Sequence, residues 1–213
     1  MRGASAAIAA LTLIAFLSGC NKHEELTPEQ EMNAIMEANS PFAAAEIRMD
    51  DAMTKAAGVD AGDSWVRKMI AHHQGAIAIA KQALAMDADA HVAAMARAMI
   101  ADETHELADL QQLVREGAPD RTGADLYQPA LDKMHQAMMA GSGSSLSQTY
   151  HLKMLEQHKG AVALSDVALA NGVTGGLKDA VEKVRAHHLE QVRLIEAMLR
   201  NPAAPQPNAA RGS

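Results

Sequence analysis

Met69 and His73 stand four residues apart in the phrase Met69-Ile70-Ala71-His72-His73-Gln74-Gly75-Ala76-Ile77. The phrase returns as Met154-Leu155-Glu156-Gln157-His158-Lys159-Gly160-Ala161-Val162, displaced by 85 residues. Both copies lie in helical sequence, where residues i and i+4 stack about 5–6 Å apart at Cβ. Each copy therefore sets a thioether and an imidazole on one face, two donors that suit soft or borderline metals such as copper. His72 is one step, roughly 100°, round the helix. A glycine follows each histidine by two places, and inside a helix it costs about 1 kcal/mol relative to alanine. Close helix approach beside a site would explain it, and so would plain tight packing.

Further donors share the repeat. Met49-x3-Met53 matches Met134-x3-Met138 at the same offset, and these four methionines are ligand candidates because both halves keep them. His187-His188 lies in the last long helical stretch, with His188 on the inner side marked by Val184 and Ile195. His91, Met95, Met99 and Asp102 follow helical spacing in another. Methionine also fills irregular gaps in cores, and Met86, Met139 and Met198 are read that way. Met69, His72 and His73 would be three ligands within one helical turn. Met49 or Met53 is the first choice for a fourth, and His187 or His188 the alternative.

The elements that must position these residues are helices. Ala, Leu and Met abound, aromatics make up 2% of the chain, and runs of β-branched residues are missing, a composition that favours helix over strand. Thr27-Pro28-Glu29-Gln30 reads as a capping box, and Ser40-Pro41 opens a helix to about Ala57. Asp63 is expected to cap a long helix through about Met86, and another runs from about Ala90 to Glu116. The second half copies the plan. Helices are expected over about Leu126 to Ala140, Ser147 to Ala170, and from Thr174 to Arg200, separated by Gly141-Ser142-Gly143-Ser144 and Asn171-Gly172. Trp65 matches Tyr150, and Glu106 matches Glu190 with a one-residue slip. Two αα-hairpins with one apolar stripe each bury it against one another, so the fold class is all-α, a four-helix bundle of two repeated hairpins with additional short helices. The repeats span about 41–117 and 126–200, a 41–200 bundle, followed by a Pro/Ala/Asn tail over 201–213 read as disordered.

The first residues predict where the chain works. Arg2 followed by the short apolar stretch Ala6 to Leu17 reads as an export signal, too short for a mature membrane span. It ends in Leu17-Ser18-Gly19-Cys20, which resembles a bacterial lipoprotein box. Residues 1–19 would be removed, Cys20 would carry lipid and attach the chain to the membrane, and 20–40 would be a leash and short helix. The expected location is the cell envelope, facing the periplasm. Cys20 is the only cysteine, so the remainder of the chain has no thiolate for zinc or iron–sulfur sites, disulfides or thiol catalysis. The formal net charge of −7 argues against nucleic acid, which needs clustered Lys and Arg.

Trp65 and the phrase Met69-Ile70-Ala71-His72-His73-Gln74-Gly75-Ala76, followed by a second long helix, resemble the helical family labelled "domain of unknown function 305". The resemblance implies an exported, ferritin-like helical bundle, in some members copper-binding through His and Met. Carried over, it points to Met69, His72 and His73, and in the second half to Met154 and His158. Gln157 stands where the second His-His pair would begin, so His151, His187 or His188 has to complete that site.

These features predict a lipid-anchored envelope protein that binds copper, as Cu(I), Cu(II) or both, for tolerance, buffering or delivery, with an envelope copper-handling protein as a possible partner. A di-iron oxidoreductase is the enzymatic alternative. It wants Glu-x-x-His from two helices and Glu from two others, and the nearest match is Asp102-Glu103-Thr104-His105. A bundle with core histidines and no metal is the third reading. There is no Gly-x-Ser-x-Gly, phosphate loop or Ser/His/acid set, so no catalytic residue is assigned.

Overall fold

A computed structural model describes residues 40–86 and 88–201. The expected signal, the expected lipidation site Cys20, the leash and the 27–30 capping box lie outside the described residues, as does the tail beyond 201. Among the described residues the fold is all-helical: α1 (Ala43–Lys55), α2 (Ala61–Ala85), α3 (Ala90–Gln111), α4 (Arg121–Asp125), α5 (Gln128–Ala140), α6 (Leu146–Ala170) and α7 (Gly175–Arg200). Helix α2 packs along α3 and α6 along α7, while α2 also lies against α6. The shorter α1 rests on α2, α5 rests on α6, and α1 and α5 meet each other. No described helix is long and apolar enough to cross a membrane.

The repeat extends into the caps. Asp60 caps α2 by accepting from Asp63 N at 2.9 Å, and Ser145, 85 residues on, caps α6 by accepting from Gln148 N at 3.1 Å. Just before each cap, Gly58 N donates to Ser64 Oγ at 2.9 Å and Gly143 N to Thr149 Oγ1 at 3.0 Å. Asp63 is therefore not the cap it was expected to be. Its carboxylate sits in the first turn and accepts from Val59 N at 3.0 Å, Arg67 Nε at 2.9 Å and Arg115 N at 2.9 Å. The bond to Arg115 ties down the segment after α3, which stops at Gln111 rather than near Glu116. The short α4 is an element that sequence reasoning missed.

Phe42 and Tyr127 hold matching places at the starts of α1 and α5, and both are fully buried. The Phe42 ring leans on Tyr150 with centroids 5.9 Å apart, and Tyr127 donates its hydroxyl to the Ala61 carbonyl at 2.7 Å. Two buried lysines close the other ends of the same short helices. Lys68 donates to the Met53 carbonyl at 2.8 Å, and Lys153 donates to the Met138 carbonyl and to Glu46 Oε2, the latter at 2.9 Å. Each ammonium satisfies a carbonyl in the last turn of a helix, where backbone acceptors lack intrahelical partners and the dipole favours positive charge.

The repeated glycines have a packing role. A methyl group at Gly75 would overlap Met49, and one at Gly160 would overlap Met134. The helices α1 and α5 thus approach α2 and α6 through a methionine seated on a glycine. Gly75 lies two residues, about 200°, round the helix from His73. Met49 therefore packs on the side of α2 turned away from His73, and the same geometry separates Met134 from His158.

Candidate metal centre

The histidines of both hairpins meet at one place. His72, His73, His158 and His188 are buried, with exposures of 0–1%. His188 contacts three of the other rings, with centroid separations of 5.3 Å to His72, 5.5 Å to His73 and 5.0 Å to His158. His187 stacks beside His188 at 5.7 Å. Two expected repeat-related sites thus become one centre shared by α2, α3, α6 and α7.

Carboxylates from α3 complete it. Its buried stripe runs Val92, Ala96, Met99, Glu103, Glu106, Leu110, spaced four and three residues in alternation, so Glu103 and Glu106 point inward with the core. Glu106 Oε2 accepts from His73 Nε2 at 2.9 Å, while its Oε1 accepts from His187 Nδ1. Glu103 Oε2 lies 3.3 Å from His73 Nε2 and makes no hydrogen bond. Among the described residues, His72, His73, Glu103 and His188 offer ligand atoms that all lie within 4.8 Å of one another.

Each ring is oriented by a second contact. His73 Nδ1 donates to the Met69 carbonyl at 2.7 Å, which turns Nε2 toward the carboxylates. His158 and His188 face each other Nδ1 to Nδ1 at 2.8 Å, so one ring donates and the other accepts. The donating ring, if neutral, carries its lone pair on Nε2, and neither Nε2 of this pair has a hydrogen-bond partner. His72 is held at both nitrogens by Gln157: Nε2 meets its carbonyl at 3.1 Å and Nδ1 its side-chain amide at 3.1 Å. Residues 72 and 157 are repeat mates, so here the two halves touch at equivalent positions. Gln157 is thus a partner for His72, rather than a defect in a second site.

Burial and charge divide the protons. Desolvation pushes His72 down to about 3 and His158 and His188 well below the ordinary histidine value, so these rings stay neutral at pH 7. Burial acts on His73 in the same direction, but Glu103 and Glu106 overrule it and raise its pKa. His187 is also raised, chiefly by its hydrogen bond to Glu106. Burial lifts Glu103 to about 7, whereas the hydrogen bonds from His187 and His73 outweigh burial and bring Glu106 down to about 2.

This donor set fits a metal ion. Buried polar atoms without partners are uncommon in folded proteins, and here Glu103 Oε2 and His188 Nε2 are two such atoms, on residues of the same four-residue donor group. His188 can ligate through Nε2 while giving its Nδ1 proton to His158. Likewise His73 can ligate through Nε2 while the Met69 carbonyl fixes its ring, the outer support that metal-binding imidazoles generally have. Glu106 bridges His73 and His187 from outside. His72 can join by releasing one contact to Gln157.

The methionines play other parts. Met49 and Met134 are seated against glycines, and Met53 and Met138 are buried and lend their carbonyls to lysines. Met69 and Met154 are fully buried, and Met69 gives its carbonyl to His73. The first choice for a fourth ligand, Met49 or Met53, thus gives way to His188, which lay in the alternative. Sequence reasoning missed Glu103 and Glu106 as site residues. Their signal was two carboxylates at core positions of an otherwise apolar stripe. Asp102 and His105, from the Glu-x-x-His-like stretch, are exposed. The expected match of Glu106 with Glu190 also fails in space, because Glu190 is exposed and pairs with Arg193 at 3.4 Å.

A family model described as "Domain of unknown function (DUF305)" matches residues 8–114, which include Met69, His72, His73, Glu103 and Glu106. Helices α4 to α7 fall outside the match. No curated protein and no solved structure matches the chain.

Proposed function

The chain belongs to the DUF305 family, and from its buried His–Glu centre we propose that it binds a transition-metal ion, copper in our reading, for tolerance, buffering or delivery in the cell envelope. The observation that carries the proposal is the convergence of His72, His73, Glu103 and His188, with Glu103 Oε2 and His188 Nε2 lacking hydrogen-bond partners, at the meeting point of two hairpins. The donors are imidazole and carboxylate, without thiolate. Imidazole suits copper, zinc, iron and nickel, and at equal geometry Cu(II) binds tightest of the divalent first-row ions. We read the helix pairs as a ferritin-like bundle of two hairpins. The Glu-x-x-His pairs of a di-iron centre are not what faces its interior, which favours binding over oxygen chemistry.

Titration of the purified protein with Cu(II), Cu(I) and Zn(II), followed by elemental analysis after dialysis, tests the reading. One tightly held ion per chain is expected, with Cu(II) tighter than Zn(II). Failure to retain any metal would leave a bundle whose histidines are structural.

Metal binding should also release protons. His73 and Glu103 both have raised pKa values, so at pH 6 each holds a proton that a metal ion displaces. The neutral His72 and His188 do not compete at that pH. Apparent affinity should therefore fall on acidification from pH 8 to pH 6, with up to about two protons released per ion at pH 6. Calorimetry in buffers of differing ionisation enthalpy counts them. Zero release at pH 6 would remove His73 and Glu103 as ligands.

Attachment through lipid on Cys20 belongs to the same proposal. Cys20→Ser should leave the protein unprocessed or shift it out of the membrane fraction. An unchanged mass and location would refute the anchor without touching the metal centre.

A further inference from the structure

A ladder of soft donors runs along α3 toward the centre. His91, Met95, Met99 and Glu103 follow at intervals of four residues, so they form one stripe about 18 Å long. His91 and Met95 are half-buried, Met99 is buried, and Glu103 belongs to the metal centre. The stripe borders a cavity of ≈ 150 Å³ whose wall also includes Met198 of α7 and, at the inner end, His158 and His187. A second cavity, of ≈ 480 Å³, shares His91 and Met198 with the first and is lined by Asp89 and His151 as well. The His91 and His151 rings stand 5.8 Å apart. His151 is 8% exposed, and its buried Nε2 has no hydrogen-bond partner. A packed core would close these methionines against one another. Met95, Met99 and Met198 instead border open space between a histidine pair and the centre.

We infer that His91 and His151 form an outer docking site for a soft monovalent ion, Cu(I) or its analogue Ag(I), and that Met95, Met99 and Met198 carry it to the inner centre. Thioethers favour such ions and bind them weakly enough for exchange, while imidazoles hold the ion at both ends. Tyr150 donates its hydroxyl to Met99 sulfur at 3.6 Å, which fixes that thioether at the deep end of the ladder. The inference rests on the inner centre being a metal site only for its direction of travel. The methionine track can be tested without it.

The test uses the full-length Cys20→Ser protein, to remove the competing thiol, labelled with 13C at the methionine methyls and titrated with Ag(I). The Met95, Met99 and Met198 methyls should shift, and they should still shift in His158→Ala/His188→Ala, where two of the inner histidines are gone. If the shifts are confined to other methionines, or are absent in both proteins, the track is overturned. Stopped-flow loading from a Cu(I)–chelator complex supplies the second readout. Met95→Leu/Met99→Leu/Met198→Leu conserves volume and should slow loading at least tenfold while equilibrium affinity stays within about twofold. An unchanged rate overturns the track, and a parallel loss of affinity overturns it by making these methionines ligands of the stored ion. If the three methyls shift but no ion is retained at the inner centre, the track stands and the reading of the centre falls.

Discussion

Replacing His188 with alanine is expected to lower metal affinity by on the order of a hundredfold or more, because the ring is both a proposed ligand and the orienting partner of His158. Loss of outer support alone commonly weakens a metal site ten- to a hundredfold. His188 touches His72, His73 and His158 and shares the 4.8 Å group of donor atoms. The substitution also strands the Nδ1 of His158 in a buried place, at a cost of about 1–3 kcal/mol in stability. A thermal melt and a circular dichroism spectrum therefore accompany the titration. His105→Ala is the control, since His105 lies on α3 beside Glu106 in sequence but faces solvent. Equal affinity in His188→Ala and His105→Ala would show that the metal, if bound, sits elsewhere.

The sequence announced the helices and half of the centre. His73 and His158 were legible because one phrase recurs with the same helical phase, and a repeated polar residue on an apolar stripe demands a reason. That both rings would reach one centre was not legible, since it depends on how the hairpins cross. The contact between His72 and Gln157 shows the consequence. Read alone, Gln157 looks like a lost histidine. Read in space, it is the repeat mate that covers His72. The methionines misled because thioethers fill cores as readily as they bind metals, and the glycine beside each motif reports their packing. Glu103 and Glu106 were hidden by the symmetry itself. The second hairpin has His187 and an outward Glu190 where the first has inward carboxylates, so the repeat gave no support to the residues that break it.

The same broken symmetry sets up a large stability effect. Lys68 and Lys153 are repeat mates, each buried and each closing a methionine carbonyl, but only Lys153 meets a buried carboxylate, Glu46. Leu131 occupies the position in α5 that Glu46 occupies in α1. Glu46→Leu should therefore give Lys153 the surroundings of Lys68, whose amine burial pushes down to about 8. Removing one partner of a buried pair typically costs 3–5 kcal/mol, since the other charge is left without compensation. An amine pKa lowered below its unfolded value disfavours the fold while the unfolded state still binds the proton. The deficit should thus be full at pH 7 and shrink as pH rises from about 8 toward 10.5. Lys153→Met leaves Glu46 instead, which burial already raises above the usual carboxylate value. That variant should be more stable at pH 5 than at pH 7 relative to wild type. The double variant Glu46→Leu/Lys153→Met removes both charges and should come back to within about 1 kcal/mol of wild type. Urea unfolding of the four proteins at pH 5, 7 and 9 completes the cycle. Additive losses in the double variant would mean that the two side chains act separately, and that the Lys153 contact with Met138, rather than its pairing with Glu46, holds α5 against α6.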